Sequence, residues 1–184
     1  MNPNFTLKKV SGEQWIQRIA QFRYQVWSTL NMIDESLFPG QICLEEVDYL
    51  ATHLVVMDQD KLLGAARYTQ YADINKTHLG LYYQESGVSI EGIAAVPERV
   101  VVDPDLKREG IGGALSDALA RLAVEQGASF TIAECSPVAA ALVRKRSGIS
   151  LGMAPLDPRF PDVQFEWMLS PIEIIIQRFA QQGK

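Results

Sequence analysis

Three glycines, Gly110, Gly112 and Gly113, stand in "VVVDPDLKREGIGGALSDALARLAVEQG" where an apolar strand pattern gives way to a helical one. Glycine lets the main chain approach a ligand closely, and the first turn of a helix leaves several N–H groups without intrahelical acceptors. The helix dipole adds partial positive charge at the same place. A phosphate or pyrophosphate is the ligand such a loop suits. Lys107 and Arg108 place two positive charges beside it, in a chain of net charge −5. As a solvated basic corner above a core helix, the same stretch would need no ligand.

Two familiar phosphate loops do not fit. No GxxxxGK[ST] string is present, and Leu115 occupies the third glycine position of a GxGxxG dinucleotide loop. Seven residues also separate Val102 from Gly110, too many for that tight strand-to-helix turn. The candidate acids and bases are carboxylates: Glu98 at the start of the valine strand, Glu134 in "SFTIAEC", and Glu91 as a third. No motif pins Glu98 or Glu134, and an exposed strand-end charge is the more ordinary reading of both. His53 and His78 have no companion at metal-ligand spacing, so no metal site is expected. Cys43 and Cys135 show no CxxC pattern and read as reduced core residues.

These residues need a scaffold. "SGEQWIQRIAQFRYQVWSTL" has Ser11 and Gln14 at capping-box spacing, then Trp15, Ile19, Phe22 and Val26 on one helical face. "HLVVMDQDKLLGAARYTQY" reads as a β-hairpin turning at Asp58–Lys61. "ERVVV" is a strand, and a helix follows with Ile111, Ala114, Leu115, Ala118, Leu119 and Leu122 as its apolar stripe, stopped by Gly127. "SFTIAEC" and "VQFEWML" read as strands, with a short helix "PVAAALVRKRSG" ending at Gly148 between them. Ser170, Pro171 and Glu173 predict a final helix over about 171–182. The order argues for an α/β domain spanning 1–184. The negative charge disfavours nucleic-acid and anionic-membrane partners. With no run of 18 apolar residues and no signal-like N-terminus, a cytoplasmic protein is the expectation.

"VVVDPDLKREGIGGAL" resembles the acyl-CoA motif of the GNAT superfamily of N-acetyltransferases, [Q/R]xxGx[G/A], with Lys107 where Gln or Arg is usual. The resemblance extends to "LLGAARY" and "AALVRKRSGI". It implies a mixed central sheet flanked by helices, with strands 4 and 5 splayed to admit acetyl-CoA. It also implies that the backbone of Val100, Val101 and Val102 pairs with pantetheine and polarises the thioester. Lys107, Arg108, Glu109, Gly110, Ile111, Gly112 and Gly113 would then hold the pyrophosphate, and Glu98 or Glu134 would accept the proton of an attacking amine. Many relatives carry a tyrosine acid four residues before the helix-ending glycine; here that position is Arg144, so Ser136, Cys135, an N-terminal tyrosine or water would serve, or no acid would be needed. A homodimer would also be common among relatives.

The function expected is transfer of the acetyl group of acetyl-CoA to an amino group of a small molecule or peptide. "FRYQVW", "EEVDYL" and "GAARY" resemble a second, related type, the acyl-homoserine-lactone synthases. A non-catalytic acyl-CoA sensor is the third reading.

Overall fold

A computed structural model describes residues 4–77 and 79–182. The elements are β1 (Thr6–Val10), α1 (Glu13–Thr29), β2 (Thr52–Asp58), β3 (Lys61–Tyr71), α2 (Gly80–Glu85) and β4 (Ala94–Val102). They continue with α3 (Ile111–Glu125), β5 (Phe130–Cys135), α4 (Pro137–Lys145), β6 (Ile149–Met153), β7 (Glu166–Pro171) and α5 (Ile172–Gln182). The hydrogen-bonded strand order is β1-β2-β3-β4-β5-β7-β6, a mixed sheet of seven strands. Among the described residues no helix is long and apolar enough to cross a membrane.

The chain forms two compact units that alternate along the sequence. The first holds Met1–Thr69, Glu98–Leu119 and Asp157–Asp162; the second holds Gln70–Pro97, Ala120–Leu156 and Val163–Lys184. β4 contributes to both.

In the first unit, β1 pairs antiparallel with β2, and β2 with β3. The hairpin has a two-residue turn, Gln59-Asp60, and Gln59 takes the left-handed φ of 49° that such turns require. β3 presents Gly64 to the first turns of α3: a Cβ there would lie 2.7 Å from Ile111 Cγ2 and 3.1 Å from Leu115 Cδ1. The missing side chain is what lets helix and strand close. Ile111, Leu115 and Leu119 are buried, in keeping with the apolar stripe.

In the second unit, β4 and β5 pair in parallel only at their N-terminal ends, Ala94 with Phe130 and Ala95 with Thr131. β5 then pairs antiparallel with β7 over its whole length, and β7 with β6. Tyr83 stacks on Phe130 at 5.6 Å and its hydroxyl donates to Ile90 O at 2.6 Å, so it fastens the loop entering β4. Tyr82 stacks on Trp167 at 5.2 Å.

Several local expectations shift. The Ser11/Gln14 box does not form: Gly12 caps α1, its carbonyl accepting from Trp15 and Ile16 N–H groups. At a φ of 97° Gly12 adopts a cap geometry closed to other residues. The stripe of α1 is also rotated, burying Ile16, Ala20, Arg23 and Trp27 together with Ile19 and Val26. α4 stops at Lys145, with Ser147 rather than Gly148 in the left-handed turn at φ 65°. Gly148 is needed for space, because a Cβ would sit 2.3 Å from Val143 Cγ1. Ser170 does not cap α5; it pairs with Thr131 in the sheet, and α5 begins after Pro171. β1 and β6, both edge strands, had no counterpart in the sequence reading.

Candidate active site

Downstream of β4, Asp103 pins the glycine loop. Its N–H donates to Leu63 O at 2.9 Å, its carboxylate accepts from Asp105 N–H at 3.1 Å, and Lys61 pairs with it at 2.9 Å. Burial alone would raise the Asp103 pKa, but these bonds outweigh it and hold the carboxyl below its usual range. The chain then turns through two left-handed residues, Arg108 at φ 77° and Gly110 at φ 80°. A non-glycine residue held there costs about 1–3 kcal/mol, which the surrounding loop must offset.

The first helical bond of α3 is donated by Ala114 N–H to Gly110 O at 2.9 Å. The amides of Ile111, Gly112 and Gly113 therefore precede the helical ladder and face outward from its positive end. Ile111 anchors the loop in the core, only 1% exposed, while the glycines beside it remain accessible. An open cleft of about 370 Å³ lies along this stretch, lined by Leu30, Val102, Pro104, Leu106, Lys107 and the glycine loop. Lys107, Arg108 and Glu109 are exposed. A Cβ on Gly112 would stand 3.6 Å from Val102 Cγ2, and one on Gly113 would meet nothing. The protein leaves this space open where an anion would approach, so the residues present fit a pyrophosphate.

Along β4, Val101 is buried, Val102 half-buried and Val100 40% exposed. Arg99 adopts a left-handed φ of 53°, which interrupts the extended run between Glu98 and Val100. Glu98 is buried and accepts from Arg67 Nη2 at 2.8 Å. It belongs to a larger ionic cluster. Asp48 accepts from Arg23 at 2.8 and 3.0 Å, from Arg67 at 3.1 Å, and from the Glu45 N–H at 2.9 Å. Glu45 in turn receives Arg67 at 2.7 Å, Arg99 at 2.7 and 2.9 Å, and Arg159 at 2.7 Å. Arg159 also forks onto Asp157, its Nε bonding both carboxylate oxygens at 3.0 Å and its Nη2 one of them at 2.7 Å. His53 Nε2 hydrogen-bonds Asp48 O at 2.9 Å, and burial lowers its pKa, favouring the neutral ring. His78 lies outside the described residues.

The electrostatics follow from burial and pairing in opposition. Desolvation would raise the Glu45 and Asp48 pKa values, but the facing guanidinium groups dominate and hold both below the ordinary carboxylate range. Asp157 behaves in the same way through Arg159. Desolvation would lower the Arg67 pKa, yet Glu98, Glu45 and Asp48 leave it raised. Carboxylates depressed on folding contribute stability that is complete above about pH 4, their unfolded range, and is lost as pH falls through the folded values. Acid titration monitored by tryptophan fluorescence should accordingly show unfolding only below about pH 4. A Glu45→Gln variant should shift that transition upward.

In the second unit, Glu134 is half-buried on β5, registered with Trp167 of β7. Arg144, at the expected tyrosine position, forks onto both carboxylate oxygens of the buried Glu166. It is an ion-pair partner there, and no phenol takes its place. Cys43 and Cys135 are both buried and unbridged, and burial pushes each thiol up to about 12, which makes Cys135 a poor nucleophile or acid.

Sequence reasoning did not single out Arg23, Glu45, Asp48, Arg67, Arg99 or Arg159. A signal was there: Arg67 interrupts the apolar "LLGAARY", and Arg23 sits within the apolar face of α1. A charge forced inside needs a buried partner. Each of "FRYQVW", "EEVDYL" and "GAARY" supplies a member, and the fold brings them together.

The sheet is mixed, with a parallel β4–β5 pair, and the glycine loop that opens α3 lies between those two strands. The model of the Acetyltransferase (GNAT) family matches residues 13–148, and the chain belongs to that family. Its members use acyl-CoA donors. Among solved structures, FeeM, an N-acyl amino acid synthase from uncultured soil microbes, is similar at TM-score 0.67 and 11% identity, covering 96% of this chain and 97% of its own. The CoA-dependent acyl-homoserine lactone synthase BjaI, with SAM and isopentyl-CoA, gives 0.70 and 11%, covering 96% and 90%. Arylalkylamine N-acetyltransferase 2 from Aedes aegypti gives 0.64 and 13%, covering 92% and 99%. No curated protein matches the sequence.

Proposed function

We propose that this protein transfers the acyl group of an acyl-CoA thioester to an amino group by direct attack. The observation that carries this reading is the start of α3 at Ile111–Gly113, whose amides precede its first helical bond beside the exposed cationic side chains of Lys107 and Arg108. In this reading those amides hold the pyrophosphate and the backbone of Val100–Val102 pairs with pantetheine, one N–H polarising the thioester carbonyl. The amine loses a proton to a carboxylate, the C–N bond forms as the C–S bond breaks, and coenzyme A leaves as thiolate to be protonated by water. Glu98 is the preferred base because Arg67 fixes its orientation at the start of the motif strand. Glu134 is the alternative.

Glu98→Gln should lower kcat by about 10²–10⁴-fold, with the Kd for CoA within threefold of the parent. Glu134→Gln serves as the comparison. Melting curves of both variants separate lost chemistry from a weakened cluster. Equal, near-parental kcat in both would remove carboxylate base catalysis from the mechanism.

Acetyl-CoA is the donor the motif resemblance implies. The ionic cluster favours a second reading with longer acyl groups, since it joins the three segments that resemble acyl-homoserine-lactone synthases. Thiol release from acetyl-, hexanoyl- and octanoyl-CoA, with and without an amine panel, decides between them. Amine-dependent release from acetyl-CoA supports the first, long-chain preference the second, and tight binding without turnover a sensor.

A further inference from the structure

We propose that Arg99 and Arg159 seat a carboxylate on the acceptor, which makes the acceptor an amino acid and not a simple amine. This rests on the acyl-transfer reading above and names the substrate class of the same site.

Four guanidinium groups carry the cluster, and they differ in access. The side chains of Arg23 and Arg67 are 1% and 2% exposed, whereas Arg99 is 13% and Arg159 38% exposed. Only the last two can meet a ligand without the cluster being dismantled. Arg99 gives its Nε and Nη2 to Glu45. That is the side-on edge of the fork, so the end-on edge with Nη1 points away from Glu45. Among the described residues Arg99 bonds only through Nε and Nη2, leaving Nη1 open. A planar fork with a spare edge matches a carboxylate.

The seat is rigid. Both guanidinium groups lie over the Phe160 ring, at 5.8 and 5.9 Å, and Phe160 is locked edge-on against Trp27 at 5.2 Å. The backbone beneath is tied by Phe160 N–H to Asp157 O at 2.8 Å and Asp34 N–H to Arg159 O at 3.0 Å. The left-handed φ of Arg99 is held against its steric cost where the side chain must reach Glu45.

Charge balance points the same way. Arg23, Arg67, Arg99 and Arg159 face Glu45, Asp48, Glu98 and Asp157, and the sum is neutral. In a poorly solvated cluster a lone ammonium would leave one unit of charge uncompensated. A zwitterion adds none. Its carboxylate would meet Arg99 while its amine, one carbon away, stays beside β4, where Glu98 and Val100 flank Arg99 in sequence.

The test compares amino acids with their carboxamides as acceptors, using whichever acyl-CoA is turned over. Equilibrium binding of N-hexanoylglycine and N-hexanoylglycinamide provides a readout that needs no catalysis. For the parent, the acid is expected to exceed the amide at least tenfold in kcat/KM and in binding, the kinetic difference residing mainly in KM. Arg99→Gln and Arg159→Gln should each collapse both ratios towards one, and Arg99→Lys and Arg159→Lys should restore them in part. Equal handling of acid and amide by the parent, or ratios that survive Arg159→Gln in a variant of parental Tm, would overturn the seat. Turnover of simple amines alone overturns it while leaving acyl transfer intact. Absence of turnover with every acceptor counts against acyl transfer, and the product-binding ratio then still decides the seat.

Discussion

Asp48→Ala is expected to lower stability by about 3–5 kcal/mol, the range for breaking a buried ion pair from one side. The carboxylate is 1% exposed and receives Arg23, Arg67 and the Glu45 N–H. Its loss strands the Arg23 guanidinium, which among the described residues bonds Asp48 alone and whose Nε and Nη2 are already unbonded in the interior. Arg67 keeps Glu45 and Glu98, so the damage centres on α1. At roughly 2–4 °C per kcal/mol for a chain of this size, melting should fall by on the order of 10 °C. Urea titration of the purified protein checks the figure. Arg23→Met combined with Asp48→Leu should recover much of it, because an apolar pair avoids the desolvation of both charges. A loss under about 1 kcal/mol for Asp48→Ala would mean water reaches the cluster.

The second large effect concerns binding, with little effect on folding. Gly112→Val should weaken acetyl-CoA or CoA binding by at least about 100-fold, equivalent to about 2.7 kcal/mol. The fold has room for the side chain: the nearest atom to a Cβ is Val102 Cγ2 at 3.6 Å, and Gly112 is not in the left-handed region. The added methyl groups would instead occupy the approach to the amides of the first turn. Gly110→Val makes a useful contrast, since at φ 80° it strains the backbone too and should lower both affinity and Tm. Calorimetry with CoA, paired with thermal melts, separates the two. Unchanged affinity in Gly112→Val would move the nucleotide away from this loop.

These two sites differ in how much of them the sequence disclosed. The glycine loop is local: strand, turn and helix start are contiguous, so Gly110, Ile111, Gly112 and Gly113 could be placed from spacing alone. The ionic cluster is assembled from α1, the segment before β2, β3, β4 and the stretch before β7, and directly bonded partners such as Glu45 and Arg159 lie 114 positions apart. No periodicity links such residues. Arg144 stands between these cases: the sequence placed it at the tyrosine position, but only the structure gave it Glu166 as partner.

The sequence by itself determined the α/β order, the hairpin, the motif strand and the loop, because each follows from short-range periodicity, turn chemistry and the steric freedom of glycine. The tertiary structure decided which charges are buried and with whom, where α1 rotates to carry Arg23 inward, and that edge strands β1 and β6 join the sheet. Those outcomes depend on desolvation and pairing between distant segments, and neither is set until the chain has packed.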